Sequence, residues 1–422
     1  MQKWEQIQGV YIHTPFCLQK CLYCDFASYA GADTETMEKY VDAVCSEIMM
    51  RSNEVTIADQ ATLYFGGGTP SLLSEKLLAK LVEALQKNGC WLQPAEATIE
   101  VNPGTADLDK LRFFKDLGFD RISFGVQSLN DAELRAVGRI HTANEALDAI
   151  TMAEKAGFTR VSADLIYGLP EQSLQTLKTS LQNLTAAGLQ HLSVYGLTIE
   201  KNTPLAGMLD KGKVELPDED CQLAMYELVQ EYLEAQGLHR YEISNYAVSG
   251  QESRHNLVYW HYLPYLSFGS SACSFNGSQR FTATDSVTDY IESIQSGKSC
   301  GGFEDLTKEM QLSEYLFMGL RTTVGIDLIE TEQRFGCDVM LEFGVELEKF
   351  IRGNLMMKQW IFKHIIMKLF DKEFSQWFHN EVYEPMMKPL PDNWMDDLSE
   401  EEWNEICKDI NHRANKELMK TY

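Results

Sequence analysis

Three thiols within eight residues, in Cys17-Leu18-Gln19-Lys20-Cys21-Leu22-Tyr23-Cys24, restrict what this chain can become more than any other stretch of it. They follow closely on an apolar, strand-like segment, Gly9-Val10-Tyr11-Ile12-His13. A [4Fe–4S] cluster normally takes four thiolates, one for each iron. A compact set of three leaves one iron without a protein ligand and open to something else, and that corner is where the chemistry is expected. Two plainer readings compete. A structural zinc site usually pairs two ligands with a second, distant pair, and no second Cys/His pair follows here. Free cysteines are common in cores, but three in one short polar turn are too many for packing alone.

The other seven cysteines, at 45, 90, 221, 273, 300, 337 and 407, have no framework spacing. That usage fits a reducing compartment rather than a disulfide scaffold. No apolar run stands behind a basic patch at Met1-Gln2-Lys3-Trp4-Glu5-Gln6, so no signal peptide is visible. Nor does any segment reach about 20 uninterrupted apolar residues. The expectation is a soluble, cytoplasmic protein without stable membrane insertion. Its 422 residues, 44% of them hydrophobic, suffice for two or three domains with a substantial core. A formal net charge of −25 argues against nucleic acid as a partner, since phosphate binding needs clustered Lys and Arg. Part of that excess lies in residues 380–422, with eleven Asp/Glu against five Lys/Arg.

From residue 9 to about 200 the text repeats as apolar strand, turn and amphipathic helix. Strands are expected at 9–13, 62–66, 97–101, 121–126, 160–167 and 190–197, with helices near 34–52, 73–88, 107–117, 143–156 and 172–187. Alternation at this interval predicts a parallel sheet in an α/β fold. Six such units are too few to close an eight-stranded barrel.

The unusual residues gather at strand ends, where parallel barrels carry their active sites. After the second strand comes Gly66-Gly67-Gly68-Thr69-Pro70-Ser71, where three glycines let backbone approach a ligand closely; an ordinary loop is the plain alternative. The third strand ends in Glu100-Val101-Asn102-Pro103-Gly104, and Glu100 can serve a ligand or the fold. Gln127-Ser128 closes the fourth, and Arg139 downstream can pair with a ligand carboxylate or face solvent. Asp164, a charge inside an apolar strand, implies a partner or ligand, because burying an unpaired carboxylate is costly. Further on, Arg254-His255-Asn256-Leu257-Val258-Tyr259-Trp260-His261 sets an imidazole among aromatic faces. That suits a flat conjugated ligand, with Tyr259 and Trp260 for stacking and His255 for iron. The alternative is an aromatic core patch with a satisfied histidine.

Taken together over roughly residues 9–335, these motifs resemble the oxygen-independent coproporphyrinogen III oxidase family of radical S-adenosylmethionine (SAM) proteins. The resemblance implies an open (β/α)6 partial barrel followed by a smaller α+β C-terminal region, divided here as 1–237, 238–350 and an atypical acidic tail, 351–422. In that family SAM chelates the fourth iron and is cleaved to a 5′-deoxyadenosyl radical. The resemblance therefore gives the cluster to Cys17, Cys21 and Cys24. Cluster-bound SAM falls to Tyr11, Gly67 and Glu100, while Tyr23, Gly68, Thr69, Gln127, Arg139 and Asp164 match a second SAM site.

The true dehydrogenase branch carries a fourth cysteine where this chain has Phe26, and an N-terminal extension; this chain starts shortly before its first strand. It is thus more similar to the HemW-type haem chaperones, and His255-Asn256-Leu257-Val258-Tyr259-Trp260 matches the HNxxYW motif of that branch. That implies haem binding through His255, Asn256, Tyr259 and Trp260 and delivery to haem-accepting respiratory proteins. SAM and the cluster would then serve homodimer formation or a controlled handover. The rival implication is decarboxylation of coproporphyrinogen III. Two departures stand out: Cys273 replaces a histidine common in the family, and the likeness fades after about residue 350. Beyond that point, Ser399-Glu400-Glu401-Glu402 resembles the start of an acidic helix around 398–420.

Overall fold

A computed structural model describes residues 4–91 and 94–342. The acidic helix expected around 398–420, and the tail 351–422 as a whole, lie outside the described residues. Six parallel strands form the centre: β1 (Trp4–Thr14), β2 (Val55–Gly67), β3 (Ala97–Val101), β4 (Arg121–Gln127), β5 (Arg160–Tyr167) and β6 (His191–Gly196). They pair in sequence order, each parallel to the next. Between them run α1 (Thr34–Arg51), α2 (Glu75–Lys87), α3 (Leu108–Asp116), α4 (Ala143–Lys155) and α5 (Leu174–Ala186). Each helix opens on a side-chain cap, Asp33, Ser74, Asp107, Thr142 or Ser173, accepting a first-turn N–H that the helix itself leaves without a partner. The expected α/β architecture of six strand–helix units is the one found.

Why the strands point as they do can be read from their alternation. On β4, Ile122, Phe124 and Val126 are fully buried, while Ser123, Gly125 and Gln127 take the opposite face. The same period sets Ile99 and Val101 against Thr98 and Glu100 on β3, and Leu63 and Phe65 against Thr62 and Tyr64 on β2. One face is therefore aliphatic and the other polar and aromatic. A closed barrel would fill its inner face with Val, Ile and Leu; the polar inner face here leaves room for a ligand.

Among the described residues the sheet does not close on itself. Tyr265–Phe268 pairs parallel with β1, and antiparallel strands Cys273–Phe275, Gln279–Ala283 and Gly301–Asp305 continue that side. At the other edge Asn245–Ala247 and then His239–Arg240 extend β6. Residues 238–305 thus add their strands to the same sheet, and the first compact unit runs to Asp305 apart from Trp260–Tyr262. Physically, strands that complete the backbone hydrogen bonding of β1 and β6 share their core, whatever their distance in sequence. The second unit, Trp260–Tyr262 with residues from Leu306, contains helices Lys308–Gly319 and Leu328–Phe335. Within it the Arg334 guanidinium lies 5.0 Å from the Tyr315 ring centroid.

Candidate functional site

All three cysteines of the first motif are partly buried, and they open on one cleft of about 560 Å³ at the carboxyl ends of the strands. That volume is in the range of small-molecule sites. Tyr23, Gly67, Gly68, Thr69, Glu100, Gln127, Arg139 and Asp164, every one singled out from the sequence, line the same cleft. Among the described residues no three His, Cys, Asp or Glu side chains, the three cysteines included, are grouped to hold a single metal ion.

The glycine loop is shaped by close approach. Gly67 has φ +111°, and a Cβ there would sit 2.6 Å from the His13 ring. At Gly68 a Cβ would meet the Phe16 carbonyl oxygen at 2.7 Å. Neither position tolerates a side chain, so the loop folds flat over the cysteine turn and presents backbone to the cleft. Gly67 N–H donates to Glu100 Oε2 at 3.1 Å, and Tyr64 OH donates to Oε1 at 2.7 Å. Burial pushes the Glu100 carboxyl up to about 7, these donors only partly offsetting it. Asp164, which accepts from Ser123 Oγ at 3.3 Å, is likewise raised by burial, to about 6. Gln127 takes φ +66° just where the β4–β5 register shifts. Such a left-handed, bulged strand end re-aims a side chain and concentrates at functional sites.

The sulfurs have donors of their own. Thr69 Oγ1 donates to Cys17 Sγ at 3.7 Å and Arg139 Nη1 to Cys21 Sγ at 3.4 Å, while Ser28 Oγ lies 3.9 Å from Cys24 Sγ. Burial raises the Cys17 thiol, with the Thr69 hydroxyl acting against it. The chemistry of this donor set fits a thiolate-bound cluster: the sulfurs sit in a concave, partly buried turn with hydrogen-bond donors facing them.

Not every singled-out residue reaches the cleft. Tyr11 stands behind it, its OH 3.1 Å from His13 Nδ1 and its ring stacked on Tyr64 at 6.1 Å between centroids. Farther off is His255, which the sequence offered as an iron contact. It lies on the helix Arg254–Trp260 and is 1% exposed. Its Nδ1 is 2.7 Å from Thr62 Oγ1 and its Nε2 is 2.9 Å from Tyr259 OH. The ring stacks on Tyr64 at 4.9 Å, and Gly9 makes room for it, since a Cβ there would be 3.2 Å from Cε1. Burial lowers the imidazole to about 3, so it is neutral. With both nitrogens engaged, His255 has the surroundings of a satisfied core histidine. Asn256 is half-buried on the same helix, and Trp260 belongs to the second unit. Cys273 accepts from Tyr265 OH at 3.9 Å and Thr282 Oγ1 at 3.7 Å.

Sequence reasoning passed over Tyr64, Ser123 and Asn102. The first two carry a signal, being the polar alternates of otherwise aliphatic strands. Asn102 carries none beyond its nearness to Glu100.

Comparison with known proteins speaks to family and fold. A model of the radical SAM superfamily matches residues 11–184, and one of the HemN C-terminal domain matches residues 306–359. Heme chaperone HemW of Bacillus subtilis is 35% identical over 335 residues, 78% of this chain and 87% of that protein. HemW of Synechocystis is 37% identical over 326 residues, covering 75% and 79%. A zebrafish (Danio rerio) protein, radical S-adenosyl methionine domain-containing protein 1, mitochondrial, is 34% identical over 333 residues, covering 75% and 73%. Among solved structures, coproporphyrinogen III oxidase (HemN) from Escherichia coli superposes with a TM-score of 0.71 at 23% identity over 83% of each chain, a likeness of fold.

Proposed function

The chain belongs to the radical SAM superfamily, in the branch of the HemW proteins, and from that premise we propose that it is a haem chaperone of the cytoplasm. It binds a [4Fe–4S] cluster on Cys17, Cys21 and Cys24, takes SAM in the cleft above them, and passes haem to haem-accepting respiratory proteins. The observation that carries this reading is the convergence of the three thiols, the Gly67–Gly68 backbone and two raised carboxyls on one cleft. When bound, the cluster supplies an electron and one open coordination site.

The chain's own residues do the rest. The Gly67 and Gly68 backbone, which no side chain obstructs, receives the methionyl end of SAM. Glu100, fixed by Tyr64 and Gly67, accepts from a hydroxyl or ammonium group, and Asp164 offers a second acceptor. Arg139 balances negative charge beside the thiolates. Among the described residues no helix is long and apolar enough to cross a membrane.

The test is anaerobic reconstitution followed by iron, sulfide, SAM and haem binding measurements, with and without reductant. Retention of all three ligands is expected; material that holds no iron and sulfide would defeat the proposal. Incubation with coproporphyrinogen III, SAM and a reductant addresses the rival activity, and formation of protoporphyrinogen would replace the chaperone by an enzyme.

A further inference from the structure

The donors to Cys17 and Cys21 are tied together by one side chain. Asn102 Nδ2 donates to Thr69 Oγ1 at 2.7 Å, and Asn102 Oδ1 accepts from Arg139 Nη2 at 2.8 Å. Because the Thr69 hydroxyl already accepts from the amide, its own proton is directed to Cys17 Sγ. The Arg139 guanidinium, held at one end by Asn102 and by the Gly125 carbonyl, is left to aim Nη1 at Cys21 Sγ. Space for the amide comes from Gly125, where a Cβ would stand 2.6 Å from Asn102 Oδ1. The result is an unbroken chain from sulfur to sulfur: Cys17, Thr69, Asn102, Arg139, Cys21.

We infer that Asn102 is a positioning residue that sets the reduction potential of the cluster, an inference that rests on the function proposed above. Hydrogen bonds to cluster sulfurs and nearby net charge are among the protein's means of tuning that potential. A donor stabilises the more negative, reduced state and raises the potential. Replacing Asn102 by Asp turns the Nδ2 donor into an acceptor. The Thr69 proton then goes to the new carboxylate, Cys17 loses its donor, and a negative charge is added beside Arg139. All three changes disfavour reduction.

The experiment is a redox titration of anaerobically reconstituted protein followed by electron paramagnetic resonance, with iron and sulfide measured for each sample. For Asn102→Asp the ratio of reduced to oxidised cluster at a fixed potential should fall at least tenfold, which is about 59 mV for a one-electron couple. Thr69→Val, which deletes the donor at Cys17, should shift in the same direction, and Thr69→Ser should stay with the wild type. If Asn102→Asp takes up no iron, the Thr69 pair decides alone. Wild-type potentials in fully iron-loaded Asn102→Asp and Thr69→Val would overturn the inference and leave the proposed function standing. A wild-type chain without iron and sulfide would instead sink both.

Discussion

Glu96, just before β3, and Glu100, near its far end, are treated by the protein in opposite ways. At the foot of β3, Glu96 is completely buried and gripped by Arg160 at 2.6 Å, with Arg121 at 3.6 Å and the His255 N–H donating at 3.1 Å. At its head, Glu100 meets only neutral donors, Tyr64 OH and Gly67 N–H. The foot is an ion-pair network whose arginines also hold the Gln251 and Glu252 carbonyls. The head is left incomplete, and burial raises its carboxyl accordingly. A fold gains nothing from an unpaired buried carboxylate; a binding site does. The carboxylate without a cationic partner is thus the one to read as functional.

The largest effect should come from breaking the foot. Arg160→Met leaves Glu96 without its nearest cation, and loss of one partner of a buried pair costs about 3–5 kcal/mol. Denaturant unfolding should show this, and the double variant Glu96→Gln/Arg160→Met should recover much of it, since replacing both partners is far less costly. Comparable losses in single and double variants would show that the network is not the source of the difference.

At the head the sign reverses. Glu100 titrates near 4.5 when unfolded and about 7 when folded, and Asp164 near 3.8 and about 6. Between those values the folded chain holds a proton that the unfolded chain has released, so stability falls as pH rises through roughly 4 to 7. Glu100→Gln should therefore be more stable than wild type at pH 8, by about 1–3 kcal/mol, and equal to it at pH 4. Asp164→Asn should behave similarly with its window about one pH unit lower. Urea midpoints measured across pH check this in the unliganded protein, and a slope unchanged by both substitutions would erase the contrast with Glu96.

How far these two ends were legible in sequence depended on whether their partners were near. The cysteine turn and the Gly67–Gly68 loop announce themselves locally, and the repeat of apolar strand, turn and amphipathic helix located all six strands. Glu96 and Arg160, 64 positions apart, gave no sign of each other. The strand Tyr265–Phe268 likewise could not be seen to pair with β1, because that register joins Gly9 to Tyr265. His255 shows the same limit. Its sequence neighbours Tyr259 and Trp260 suggested a flat ligand, whereas Thr62, 193 residues away, supplies one of its two hydrogen bonds.

The smallest expected effect is the most discriminating for that histidine. Tyr259→Phe removes the hydroxyl at 2.9 Å from His255 Nε2 and keeps the ring that packs edge-on against the imidazole at 5.1 Å. Loss of one neutral hydrogen bond costs about 1 kcal/mol. If His255 belongs to the closed foot of the sheet, as its burial indicates, stability drops by that amount while haem retention and the Soret spectrum stay at the wild-type level. If the imidazole instead exchanges Tyr259 for iron when haem arrives, the variant has already lost the competing donor. Haem should then bind several-fold more tightly, with an altered Soret band, and His255 would move from the finished end of the molecule to the unfinished one.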